Sequence, residues 1–184
     1  SSPGDFESVQ AIAREIKGPI IAGLARTRAE DIRSAAEAVK DAERPRIHTF
    51  IATSPIHMEY KLKLDKEGVL AEVRSGVSLA KSLIDDVEFS AEDASRSEVP
   101  FLIEVFKTAI ECGATTLNIP DTVGYAQPDE FYAFVKEILK GVNPPENIVW
   151  SVHCHNDLGL GVANSLAAVR AGARRSEERR VGKE

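Results

Sequence analysis

The sequence predicts an α/β fold: about five βα units carrying a parallel sheet, an incomplete TIM-type (β/α)8 barrel. Three observations predict it. Helical and strand patterns alternate along the chain, which implies parallel βαβ units. Successive strands have one apolar face and one polar face, whereas strands buried in an open parallel sheet read as apolar on both. The polar face grows more polar toward the C-terminal strand ends, where TIM barrels keep their chemistry. A doubly wound open sheet is the competing architecture, and the polar faces favour the barrel.

The elements follow in order. Phe6 to Lys17 has apolar residues at Phe6, Val9, Ile12, Ala13 and Ile16, a helical period, broken by Gly18-Pro19. Ile20 to Ala25 is a short apolar strand. Thr27 to Ala42 is helical, with Glu30 three residues after Thr27 in the pattern of a capping box. Arg46 to Thr53 is a strand, followed by a helix near Pro55 to Leu62 and a longer one from Asp65 to Ile84. Asp86 to Ser90 is a strand, and Glu98 to Cys112 is a helix stopped by Gly113. Thr115 to Ile119 is a strand, and Pro128 to Leu139 a helix. Ile148 to His153 is the fifth strand, and Leu158 to Ala171 is a helix ended by Gly172. A whole barrel has eight such units in about 250 residues, so residues 1–174 are expected to be a partial barrel domain. Residues 175–184, dense in charge, are expected to be a disordered or artefactual tail.

Composition narrows the function. The 184 residues are 43% hydrophobic and 28% charged, with a net charge of −6. That balance suits a globular domain with one core. It offers no concentrated basic surface for nucleic acid. No apolar run approaches the roughly 20 residues of a membrane span, and the start lacks a signal-peptide pattern. Cys112 and Cys154 sit inside helix and strand patterns, not a disulfide framework, so a reducing, cytoplasmic setting is expected.

Candidate chemistry lies at the strand ends. His153 and His155, two apart on a strand, point the same way and can share one metal ion, with Cys154 facing away. The bland alternative is a packed histidine pair. Glu88, Ser90 and Glu92 share one strand phase; Glu92 is a candidate general base, or else a solvated loop residue beside Asp93. Glu88 is either a site residue or half of a buried ion pair. Asn118 and Thr122 flank Pro120-Asp121, where the Thr122 hydroxyl could bind a substrate carboxylate or merely shape the turn into Gly124. His48 is a pocket residue or a satisfied core histidine. Gly159-x-Gly161 opens a helix but lacks the register of a dinucleotide fingerprint.

Several runs together resemble the 2-isopropylmalate synthase family: Ser1 to Phe6, Arg46 to Pro55, Asp86 to Ser90 with Glu92-Asp93, Asn118 to Tyr125, and His153-x-His155-Asn156-Asp157-Leu158-Gly159. The match runs in order from Ser1 to about Arg174. Individual motifs also belong to homocitrate and citramalate synthases and to hydroxymethylglutaryl-CoA lyases, and the first two synthases remain alternatives. The resemblance implies a metal-dependent Claisen condensation of acetyl-CoA with 2-oxoisovalerate, in leucine biosynthesis, by a homo-oligomeric parent. A divalent ion of the manganese, magnesium or zinc type would be held by His153 and His155. Glu92 would serve enolisation, and Thr122 would bind the oxo-acid carboxylate. His48 would line the pocket, and Glu88, Ser90 and Asn118, from the polar strand faces, are expected as further substrate-binding residues. The family's Arg-Asp-Gly-Glu-Gln strand and its later asparagine ligand are not in this sequence. Weak metal binding and little or no turnover are therefore expected of this stretch alone.

Overall fold

The structure, a computed structural model, describes residues 3–176. Helix α1 (Pro3–Glu15) leads into β1 (Ile21–Arg26), α2 (Ala29–Val39) and β2 (Pro45–Ala52). A short helical turn, α3 (Pro55–His57), runs directly into a π-helical turn at Met58–Leu62, and α4 (Lys66–Leu83) follows. Next come β3 (Val87–Glu92), a 3-10 turn at Ala94–Arg96, α5 (Val99–Glu111), β4 (Thr116–Asp121) and α6 (Pro128–Val142). Strand β5 (Val149–Cys154), α7 (Gly161–Ala171) and a two-residue β6 (Arg175–Ser176) complete the described chain. The strands form one sheet in the order β1-β2-β3-β4-β5-β6, every neighbouring pair parallel. This is part of a TIM barrel, with helices alternating along one side of the sheet.

The two strand phases separate as their side-chain chemistry requires. Ile47, Ile51, Val87, Phe89, Ala91, Leu117, Ile119, Trp150, Val152 and Cys154 all join the core under the helices. Phe106 of α5 packs edge-on against both Phe89 and Trp150, at centroid distances of 6.3 and 5.3 Å. The alternate residues form the other, polar face. Register aligns His48 with Glu88, Phe50 with Ser90, Ser90 with Asn118 and Pro120 with His153, so the polar residues stand side by side across four strands.

Local corrections have physical causes. Thr27 does not cap α2: its hydroxyl donates to Glu72 Oε2 at 3.1 Å, and Arg28 holds the N-cap position without a side-chain bond. Asp65 does cap α4, accepting from Gly68 N at 2.8 Å. Of the apolar stripe on α1, Ala13 is buried but Ile12 and Ile16 are exposed. The Pro55 to Leu62 segment is not one α-helix, because the π-turn lets Met58 enter the core and Leu62 and Leu64 pack against it. Strand β3 extends to Glu92, which is therefore a strand-end residue and not part of a loop. Arg175 and Ser176, expected in a tail, pair with Ser151 and Val152 as a sixth strand. The rest of that expected tail, 177–184, and the opening Ser1-Ser2 lie outside the described residues.

Candidate active site at the strand ends

Strand register alone brings His48, Ser90 and Asn118 together. His48 Nε2 lies 2.6 Å from Ser90 Oγ, and Asn118 Nδ2 donates to the same oxygen at 2.9 Å. Ser90 therefore sits at the centre of a three-residue chain in which its own proton is directed by its neighbours. Beneath it, Glu88 is fully buried and ion-paired with Arg46 at 3.1 Å and with Arg175. Its carboxylate is the anionic floor of the site, one layer below the strand ends.

Above this layer, His48, Ser90, Asn118, Thr122, Glu92 and His153 line one cavity of about 220 Å³, shared with Leu24, Phe50 and Pro120. Six of the eight residues singled out from sequence thus meet at one opening. His155 lies just past β5, exposed at the rim, with its ring 4.8 Å from that of His153. Its backbone N–H continues the ladder by donating to Asp121 O at 3.2 Å. Cys154 points into the core, as alternation demands.

Thr122 does two things. Its Oγ1 accepts from the Asp93 N–H at 3.0 Å, and it faces the cavity. The turn that follows depends on Gly124, whose φ is +65°. A Cβ there would come within 3.0 Å of both Asp157 N and the His155 carbonyl carbon. The β4 and β5 loops therefore touch backbone to backbone, and the Thr122 turn is seated directly on the histidine loop.

Asp93 carries little local signal of its role. It is fully buried, in the left-handed region at φ 64°, and it gathers three partners. Ser54 Oγ donates to Oδ2 at 2.5 Å, His57 Nδ1 lies 2.9 Å away, and Arg96 Nε donates to both oxygens at 2.8 and 3.0 Å. Burial alone would push this carboxyl up; the Arg96 guanidinium, the Ser54 hydroxyl and His57 outweigh it and hold it below the ordinary range. Asp121 plays a similar part at the end of β4, accepting from Ser95 Oγ at 2.8 Å and Ala126 N at 3.2 Å. The available signals were Arg96 three residues after Asp93 and His57 three after Ser54, but only the fold shows that these pairs converge.

The donor set fits a metal only in part. Two imidazoles with rings 4.8 Å apart at a strand end can fill two positions of one ion. Among the described residues no group of three or more His, Cys, Asp or Glu side chains could hold one, so further ligands would have to come from elsewhere. The N-terminus of α7 offers no substitute site, because Asn156 Oδ1 already accepts from Gly161 N at 3.0 Å. No described helix is long and apolar enough to cross a membrane.

Comparison with known proteins adds the family. Residues 1–179 match the family described as HMGL-like. The chain is 59% identical over 177 residues to the 2-isopropylmalate synthase of Carboxydothermus hydrogenoformans, covering 96% of this chain and 35% of that protein. It is 57% identical over 173 residues to the 2-isopropylmalate synthase of Pyrococcus furiosus, covering 94% and 35%. The chain thus spans about a third of the length of the curated relatives it matches. Among solved structures, an HMG-CoA lyase from Acenitobacter baumannii in complex with coenzyme A and 3-methylmalate superposes with a TM-score of 0.73 at 21% identity, covering 96% of this chain and 59% of that one. The hydroxymethylglutaryl-CoA lyase of Pseudomonas aeruginosa gives 0.75 at 18% identity, covering 95% and 57%. At that identity the structures support the fold alone. The family match along 1–179 and the ordered run of strand-end residues agree: this chain belongs to the HMGL-like family, as part of a barrel domain similar in sequence to 2-isopropylmalate synthases.

Proposed function

We propose that the chain supplies the central strands of a catalytic barrel that condenses acetyl-CoA with 2-oxoisovalerate to 2-isopropylmalate. The observation that carries this reading is the convergence of His48, Ser90, Glu92, Asn118, Thr122 and His153 on one cavity at the C-terminal strand ends.

The condensation needs a base, an anion-binding donor and an electrophilic ketone. Glu92, which lines the cavity, would take a proton from the acetyl methyl. Thr122 accepts from the Asp93 N–H, which leaves its own hydroxyl proton to donate to the oxo-acid carboxylate. Asn118 Nδ2 donates to Ser90 Oγ and His48 Nε2 lies 2.6 Å from it, so these three side chains line the same space as a linked set. Glu88, fully buried and tied to Arg46 and Arg175, supports this layer from below. Enzymes of the HMGL-like family are generally dependent on a divalent metal. An ion held in part by His153 and His155 would supply Lewis-acid polarisation of the ketone. After carbon–carbon bond formation, hydrolysis of the thioester releases CoA.

The test uses the full-length protein that carries this chain. CoA release is followed with 2-oxoisovalerate, pyruvate and 2-oxoglutarate in turn. Preference for 2-oxoisovalerate supports the proposal; preference for either of the others replaces it with a citramalate- or homocitrate-forming reaction. His153→Ala in the same protein is expected to weaken Mn2+ uptake, read by equilibrium dialysis. Unchanged uptake would remove this histidine from the ligand set.

A further inference from the structure

Glu92 lines two cavities. One is the strand-end cavity of about 220 Å³, and the other, of about 430 Å³, opens on its far side between the ends of β1 and β2 and the π-turn. Phe50 also belongs to both, so the two spaces meet at the Phe50–Glu92 seam. Lys61 reaches this seam from the second cavity. Its Nζ donates to both Glu92 oxygens, at 2.7 and 2.9 Å.

The backbone that brings Lys61 there is unusual. It lies in the π-helical turn Met58–Leu62, which ends on Lys63 in the left-handed conformation at φ 55°. Such turns are rare and occur often at functional sites. The wider turn rotates each successive side chain by less than an α-turn would. Met58 then enters the core while Lys61, three residues on, lies over the end of β3. Folding does not explain the pair. Lys61 is about half exposed and Glu92 about a quarter, and ion pairs so placed contribute little to stability. A carboxylate that must meet a methyl group, however, needs a defined orientation, and a two-point contact to one ammonium restricts how its plane can turn.

We infer that Lys61 is a positioning residue for Glu92, fixing its carboxylate at the seam where the acyl thioester and the oxo acid meet. This rests on Glu92 being the base, and a double-mutant cycle separates the two ideas. In the full-length protein, Glu92→Gln is expected to lower kcat by about 10²–10⁴-fold. Lys61→Met should lower kcat roughly ten- to hundredfold while KM for acetyl-CoA and 2-oxoisovalerate stays within about twofold. Lys61→Arg should recover most of the loss, and the double variant should be no slower than Glu92→Gln alone. Thermal melting of the Lys61 variants should match the parent, and recovery in Lys61→Arg guards against a folding defect in Lys61→Met. Full activity in Glu92→Gln overturns the base assignment, and the role of Lys61 with it. An inactive Glu92→Gln beside an unchanged Lys61→Met, a loss confined to KM, or losses that multiply overturns the Lys61 inference alone.

Discussion

At the scale of single residues, Asp93 and Gly124 tie the strand ends to one another. Because Asp93 is held below its ordinary pKa, its ionised form stabilises the folded chain fully above the unfolded-state value. That stabilisation is lost as pH falls through the lower, folded-state value. Melting temperature should therefore fall as pH drops below about 4. Asp93→Asn should melt lower at neutral pH and show a flatter acid limb; an acid limb as steep as the parent's would mean that another carboxylate carries the dependence. Gly124→Ala meets two penalties at once, a left-handed φ and backbone contacts near 3.0 Å with the histidine loop. It should cost about 1–3 kcal/mol in chemical denaturation and loosen Mn2+ uptake by the full-length protein. Wild-type values for both would show that the loops move apart freely.

Among elements, α5 ties two strands together, since Phe106 packs edge-on against both Phe89 of β3 and Trp150 of β5. Phe106→Ala should destabilise by about 3–5 kcal/mol, measured by urea titration. A loss below about 1 kcal/mol would mean that the neighbouring rings close the gap. Strands such as β3 were legible in the sequence because they carry a two-residue alternation, and Val87, Phe89 and Ala91 against Glu88, Ser90 and Glu92 shows it plainly. The same alternation located the His153, Ser90 and Asn118 face. What could not be read was partnership over distance. Asp93 takes its role from Ser54 and His57, nearly forty residues earlier, and a local reading leaves it in a solvated loop. The π-turn was equally hidden, because Met58 to Leu62 has the composition of an ordinary helix. Thr27 failed as a cap because Glu72, on another element, competed for its hydroxyl.

For the whole molecule, the surface of the described residues is uneven. Leu24 on the polar side of β1 is 63% exposed, and α7 presents Val162, Leu166 and Val169 to solvent. Apolar residues grouped in this way favour association. The 184-residue chain in isolation should elute on size exclusion as more than a monomer, and Leu166→Glu with Val162→Lys should raise the monomer share. A sharp monomer peak from the unaltered chain would contradict this.

The spatial order of the strands equals their order in the sequence. Each new βα unit therefore finds its docking edge already laid down by the unit just made, and no early strand must wait for a late one to slot between it and its neighbour. Such a chain can assemble progressively during synthesis, and its loop-closure cost is divided into short local steps. The strand-end side chains then come into alignment one at a time, with His48 first, the Ser90–Glu92 pair next and the two imidazoles last.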